Sequence, residues 1–149
     1  NTITSRRINS ATIEYKGQIM EFYTCHMNLP TNKEEKMSDN IQRILKRSQT
    51  DNLKILMGDF NTDAINSPED YKMILSQGLY DTYTMAEEKD SGITVGGNID
   101  GWSKSKEEKR IDYILSNKEI KVKSSKVIFN GENHPVVSDH YGLEVILDL

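Results

Sequence analysis

Four short segments of the chain carry residue types that could do chemistry together. Gly58-Asp59-Phe60-Asn61-Thr62-Asp63 follows Leu53-Lys54-Ile55-Leu56-Met57, a short apolar run that reads as a buried strand. A strand ending there delivers Asp59 and Asn61 at its C-terminal end, where side chains two apart tend to point the same way. Gly58 lets the backbone turn sharply. A carboxylate accepts and an amide donates, so the pair suits a hydrated Mg²⁺ ion or a phosphate. An Asx turn at a strand end accounts for the same residues without any chemistry.

Ser138-Asp139-His140 leads into Tyr141-Gly142-Leu143-Glu144-Val145. An adjacent Asp and His before a strand can supply a metal ligand and a general base together. The plainer reading is a loop with a surface histidine. Arg110-Ile111-Asp112-Tyr113-Ile114 puts Asp112 inside an otherwise apolar strand, where an unpartnered carboxylate is costly. A histidine across the sheet is one partner, because an Asp can fix an imidazole tautomer and steady its charged form. Arg110 is the competing partner, and that pair would be purely structural. His26 ends the strand-like Phe22-Tyr23-Thr24-Cys25, as a candidate acid–base residue or a hydrogen-bonded core histidine. His134 precedes Pro135 in a polar loop and is given no role beyond that loop.

The elements that must position these residues follow from periodicity. Ala11–Tyr15 and Ile19–Cys25 are rich in β-branched and aromatic residues around Lys16-Gly17-Gln18, which predicts a hairpin. Lys33 to Ser48 carries Met37, Ile41, Ile44 and Leu45 at helical spacing, with Thr31 or Asn32 as cap. Glu69 to Gln77 reads as a second helix, with Pro68 in its first turn and Gly78 after its end. Lys109–Leu115, Val122–Phe129 and Tyr141–Leu147 read as further strands. Between them, Glu87 to Glu108 is a glycine-bearing loop with room for a short hairpin, and a loop that long in a compact domain is often functional. The sum is a mixed α/β layout with more strand than helix and an antiparallel or mixed sheet.

With 149 residues the chain is long enough for one domain with a real core. Its net charge of -4 leans against a partner recognised through a polyphosphate backbone. Lys104, Lys106, Lys109 and Arg110 do cluster, but Glu107 and Glu108 interleave with them, as on a solvated face. Cys25 is the only cysteine, which rules out an internal disulfide and argues against a cysteine-based zinc site. A reducing, cytoplasmic compartment fits. No stretch approaches the length of a membrane span, and no signal segment opens the chain.

In order, a strand-end His, Gly-Asp-Phe-Asn, Arg-Ile-Asp-Tyr-Ile and Ser-Asp-His-Tyr resemble the endonuclease/exonuclease/phosphatase family. That family includes deoxyribonucleases, abasic-site endonucleases, neutral sphingomyelinases and small-molecule phosphatases. The resemblance implies an α/β (α+β) fold, the C-terminal half of a four-layered β-sandwich of the deoxyribonuclease-like type. Its sheets are mixed or antiparallel and flanked by helices, and the site lies where strand ends of both sheets converge. By the same resemblance, Asp59 activates or holds the attacking water and contributes to metal binding, and Asn61 binds a phosphoryl oxygen. Asp139 coordinates Mg²⁺ or Mn²⁺, His140 is general base or phosphate ligand, and Asp112 orients its ring. His26 stabilises the phosphorane-like charge or protonates the leaving oxygen. The chemistry implied is in-line attack of water on phosphorus.

The family also has an upstream half bearing a metal-binding Glu and a phosphate-binding Asn, and neither is found here. Residues 1–149 are therefore expected to be one partial domain with its N-terminal half missing, weakly active or inactive by itself. The loop holding Asn98, Asp100 and Trp102 resembles that of bacterial sphingomyelinase-like proteins and maltose 6'-phosphate phosphatases. An aromatic face with an amide and a carboxylate suits a sugar; Trp102 as a core plug is the alternative. The expected activity is a Mg-dependent phosphatase on a small phosphorylated sugar. A nuclease, a sphingomyelinase-like phosphodiesterase and a non-catalytic interaction module are the alternatives, in that order.

Overall fold

The computed structural model describes residues 7–96, 99 and 107–149. Eight strands and three helices occur among them. In chain order these are β1 (Asn9–Tyr15), β2 (Gln18–His26), α1 (Met37–Leu45), β3 (Leu53–Asp59), α2 (Pro68–Leu75), β4 (Tyr80–Asp81), α3 (Thr82–Met85), β5 (Ala86–Lys89), β6 (Asp112–Ser116), β7 (Val122–Ile128) and β8 (Gly142–Leu147). The strands form a five-stranded sheet, ordered β1-β2-β3-β6-β4, and a three-stranded sheet, ordered β5-β7-β8. Both sheets are mixed: β2 with β3 and β5 with β7 run parallel, and the other pairs antiparallel.

The β1–β2 hairpin closes on Lys16 and Gly17, whose φ of 51° and 77° match the primed turn that suits the right-handed twist of paired strands. The strand period then sorts the large sheet into two faces. Tyr23, Cys25, Leu56, Tyr113 and Leu115 point to one side, where Met37, Ile41 and Ile44 of α1 and Ile74 of α2 cover them. Met20, Leu53 and Ile55 point to the other side, with Phe22, Met57, Ile114 and Leu147 of β8 packed against them. The fold is thus a sandwich of two sheets with helices on the outer face of the larger one, as in the deoxyribonuclease-like architecture.

Glu21, on the helix-covered face, is a buried carboxylate that fastens one corner of this layer. It accepts hydrogen bonds from Tyr23, Ser48, Thr50 and Asn52 at 2.5 to 2.9 Å. Burial opposes its charge, but the donors led by Ser48 and Thr50 outweigh that and hold its pKa down at about 2.

Several boundaries depart from expectation. The first helix starts at Met37, not Lys33, with Lys36 at its N-cap. The Asn32 side chain instead accepts the amides of Glu34 and Glu35, closing a separate turn that competes with the helix. The strand expected from Lys109 begins at Asp112, and Lys109 bridges to Val95 instead. The long loop is shorter than its composition implies, because Ala86–Lys89 is strand β5. Gly58 serves less as a turn than as a close approach. Its φ is 136°, and a Cβ there would lie 1.9 Å from the carbonyl oxygen of Cys25 on β2.

Candidate active site

The site is built by register. His26 ends β2, Asp59 ends β3 and Asp112 begins β6, and the pairing sets His26 opposite Asp59 and Asp59 opposite Asp112. Directly opposed residues of paired strands project to the same face. By parity with Leu53, Ile55 and Ile114, that is the face turned toward the second sheet. Three polar residues thus line up at one edge of the inter-sheet space. His140 comes to them from the segment just before β8.

The distances show which groups the fold brings together. His140 Nδ1 lies 2.8 Å from Asp112 Oδ2, and His26 Nε2 lies 3.2 Å from Asp59 Oδ2. The other Asp59 oxygen accepts the Asn61 amide at 2.7 Å. Asn61 has a φ of 49°, and its side-chain amide donates to the Met27 carbonyl at 2.8 Å. Asn61 therefore does not extend the strand beside Asp59. It folds back in an Asx-type turn, the plainer of the two sequence readings, two residues past the strand end.

Electrostatics follow from this crowding. Burial pushes the Asp59 carboxyl above its ordinary value; the Asn61 amide opposes that shift and the neighbouring Asp112 charge adds to it. The His140 imidazole is also raised, first by its hydrogen bond to Asp112, against burial, and further by the Asp112, Asp59 and Asp139 charges. Two carboxylates side by side at a half-buried edge favour a positive charge between them. Cys25, one residue before His26, takes no part. Burial and the Asp59 charge push its thiol up to about 12, and its sulfur rests 3.6 Å from the Met57 carbonyl.

Arg110 is not the partner of Asp112. It is buried, donates to Asp81 at 2.7 Å, and lies 4.6 to 5.2 Å from the ring centres of Tyr71, Tyr83 and Tyr113. Tyr113 in turn donates to the Thr62 and Arg110 carbonyls. This aromatic box anchors the start of β6 and leaves Asp112 for His140.

Sequence reasoning missed Thr94. It is fully buried, and its hydroxyl oxygen accepts the amides of Ile111 and Asp112 at 3.2 and 3.3 Å. Its backbone carbonyl accepts the amide of Tyr141 at 2.8 Å. One residue therefore ties the two segments that carry the dyad. The only signal for it was a β-branched residue between two glycines in a loop read as substrate-facing.

Asp139 is exposed in the loop before β8, with the Ser138 hydroxyl 3.1 Å from its Oδ1. Among the described residues, no group of three or more His, Cys, Asp or Glu side chains is placed to hold a metal ion. A hard divalent cation takes about six oxygen ligands, and Asp139 offers one carboxylate. Asp59 and Asp139, the two carboxylates expected to hold the ion, would supply only part of such a shell, and the chemistry it would bring is neutralisation of charge at the phosphoryl group. Asn98, Asp100 and Trp102 lie outside the described residues. His134 packs against the Phe129 ring, 5.2 Å between centres, away from the dyad.

Residues 7–140 match the family model described as the Endonuclease/Exonuclease/phosphatase family. A family protein of known structure from Leptotrichia buccalis C-1013-b shares 62% identity over 99% of this chain, with a TM-score of 0.92. The chain belongs to the endonuclease/exonuclease/phosphatase family. Two more distant structures share the fold. One is the mannosyl-6-phosphatase Bt3783 of Bacteroides thetaiotaomicron, at 24% identity, 97% of this chain and a TM-score of 0.73. The other is D. rerio TDP2 complexed with single-strand DNA product, at 16% identity, 97% of this chain and a TM-score of 0.63. The chain spans 56%, 57% and 62% of the length of these three. No match is found among curated proteins. Enzymes of this family generally hydrolyse phosphoesters and commonly depend on divalent metal.

Proposed function

We propose that this chain supplies the water-activating side of a phosphomonoesterase site that acts on a small phosphorylated sugar. The observation that carries this reading is the Asp112–His140 pair at 2.8 Å, set beside Asp59 by strand register. With Nδ1–H donating to Asp112, the ring's basic lone pair is on Nε2, from which it can take a proton from water attacking phosphorus. Asp112 then steadies the imidazolium. In this reading one side-chain N–H of Asn61 donates to a phosphoryl oxygen while the other keeps its bond to the Met27 carbonyl, and His26 protonates the departing ester oxygen. Mg²⁺ is the cofactor we propose; when bound, it supplies charge neutralisation at the phosphoryl group.

The net charge of -4 supports a small substrate over a nucleic-acid backbone. The chain's similarity to a mannosyl-6-phosphatase fits a sugar phosphate, although at 24% identity it speaks for the fold first. No helix among the described residues is long and apolar enough to cross a membrane.

The test is a substrate panel on the natural polypeptide with Mg²⁺: hexose phosphates, sphingomyelin and plasmid DNA. Release of phosphate from a hexose phosphate supports the reading. Nicking of DNA while sugar phosphates stay intact moves the chain to the nuclease side of the family. Inertness toward all three leaves an interaction module.

A further inference from the structure

Beside Asn61 a cleft of about 310 Å³ opens that the dyad chemistry does not use. Asn61 and Ile111 bound it toward the candidate site, and Pro30 and Thr31 come from the loop after β2. Ser67 and Asp70 enter from the first turn of α2. The volume is in the range of small-molecule sites, and the lining mixes apolar surface with hydroxyl and carboxylate groups and with Lys109, whose ammonium pairs with Glu107 at 3.2 Å.

Ser67 is the telling residue. It is the N-cap of α2, a position where serine ordinarily accepts an amide hydrogen of the first turn. Here its side chain makes no capping bond, so the half-buried hydroxyl is left to the cleft. Neighbouring Asp63 shows the contrast. Its carboxylate is consumed by the amides of Ile65 and Arg110 and the side chain of Asn66, so it builds the wall and offers nothing further. Thr31 and Asp70 stand exposed on the rim, on opposite sides of Ser67 in the sequence.

We infer that this cleft is the subsite for the leaving group of the phosphoester, a polyhydroxylated ring such as a hexose. Thr31, Ser67 and Asp70 take its hydroxyls, and the walls at Pro30 and Ile111 meet its apolar side. The inference rests on the phosphatase reading above. Asn61 borders both cleft and site, so a phosphoryl group held there has this cleft available to its ester substituent. The loop with Asn98, Asp100 and Trp102 is then not needed to explain a sugar preference.

The test compares a hexose 6-phosphate with phenyl phosphate, which keeps the phosphoryl group and lacks the hydroxyls, on the natural polypeptide. Asp70→Asn, Thr31→Val and Ser67→Ala each raise KM for the hexose phosphate, by about tenfold for Asp70→Asn, the loss of one charge-assisted hydrogen bond. Their kcat/KM for phenyl phosphate stays within about twofold of wild type. Thr31 and Asp70 are exposed, so those two variants keep the test valid should Ser67→Ala disturb α2. Wild-type turnover of the hexose phosphate with unchanged KM in the variants overturns the subsite, as does an equal loss on both substrates. Failure of the wild type on both substrates instead overturns the phosphatase reading, and the subsite falls with it.

Discussion

Thr94 and Asp112 are joined by a hydrogen bond from the Asp112 amide to the fully buried Thr94 hydroxyl, 3.3 Å long. Because the Thr94 carbonyl also accepts the Tyr141 amide, the position of Asp112 relative to His140 is set by a residue that touches neither carboxylate nor imidazole. Thr94→Val keeps the shape and removes the acceptor. Its expected signature is a kcat lower by about 10- to 100-fold with KM little changed, as for a small misplacement of reacting groups. Thr94→Ser restores most of the rate. Steady-state kinetics on the three proteins checks both statements.

Gly58 carries the tightest constraint on the strand that ends at Asp59. Its φ of 136° and the 1.9 Å approach to Cys25 leave no room for a methyl group. Gly58→Ala is expected to cost about 3 kcal/mol or more, a strain-class effect. Thermal unfolding should show a midpoint lower by about 10 °C.

Glu21 gives the fold a pH limb of definite sign. Its pKa falls from 4.5 to about 2 on folding, so the stabilisation is present above 4.5 and is lost as pH falls toward 2. Glu21→Gln removes that limb and lowers stability at neutral pH, since an amide nitrogen then faces groups that are themselves donors. Denaturant titrations at pH 7, 4 and 2.5 distinguish the two proteins. An identical acid limb in Glu21→Gln would contradict the assignment.

Asp81→Ala strips the buried Arg110 of its counter-ion at 2.7 Å and leaves the guanidinium among three tyrosine rings. Breaking a buried pair from one side costs about 3–5 kcal/mol. Chemical denaturation measures it directly.

Much of this layout was readable from residue types, for reasons that are local. The hairpin at Lys16-Gly17 and the two amphipathic helices follow from turn chemistry and from apolar spacing over one or two turns of chain. The order of the His26, Asp59, Asp112 and His140 segments was readable too, because each precedes or follows an apolar strand. What could not be read was register. Nothing local tells that Asp59 faces Asp112 across β3 and β6, or that Arg110 turns away to Asp81. Likewise β4 and β5 are two and four residues long, too short for periodicity to show. Thr94 and Ser67 matter through partners far along the chain, or through a bond they do not make.

The most direct test of the central claim is the rate of phosphate release from a hexose phosphate by the natural polypeptide and by its Asp112→Asn and His140→Ala forms. The expected result is a kcat lower by about 10²–10⁴ in His140→Ala, a comparable loss in Asp112→Asn, and unfolding midpoints near wild type. Undiminished kcat in both variants, with the wild type active, would show that the pair is a structural contact and that water is activated elsewhere.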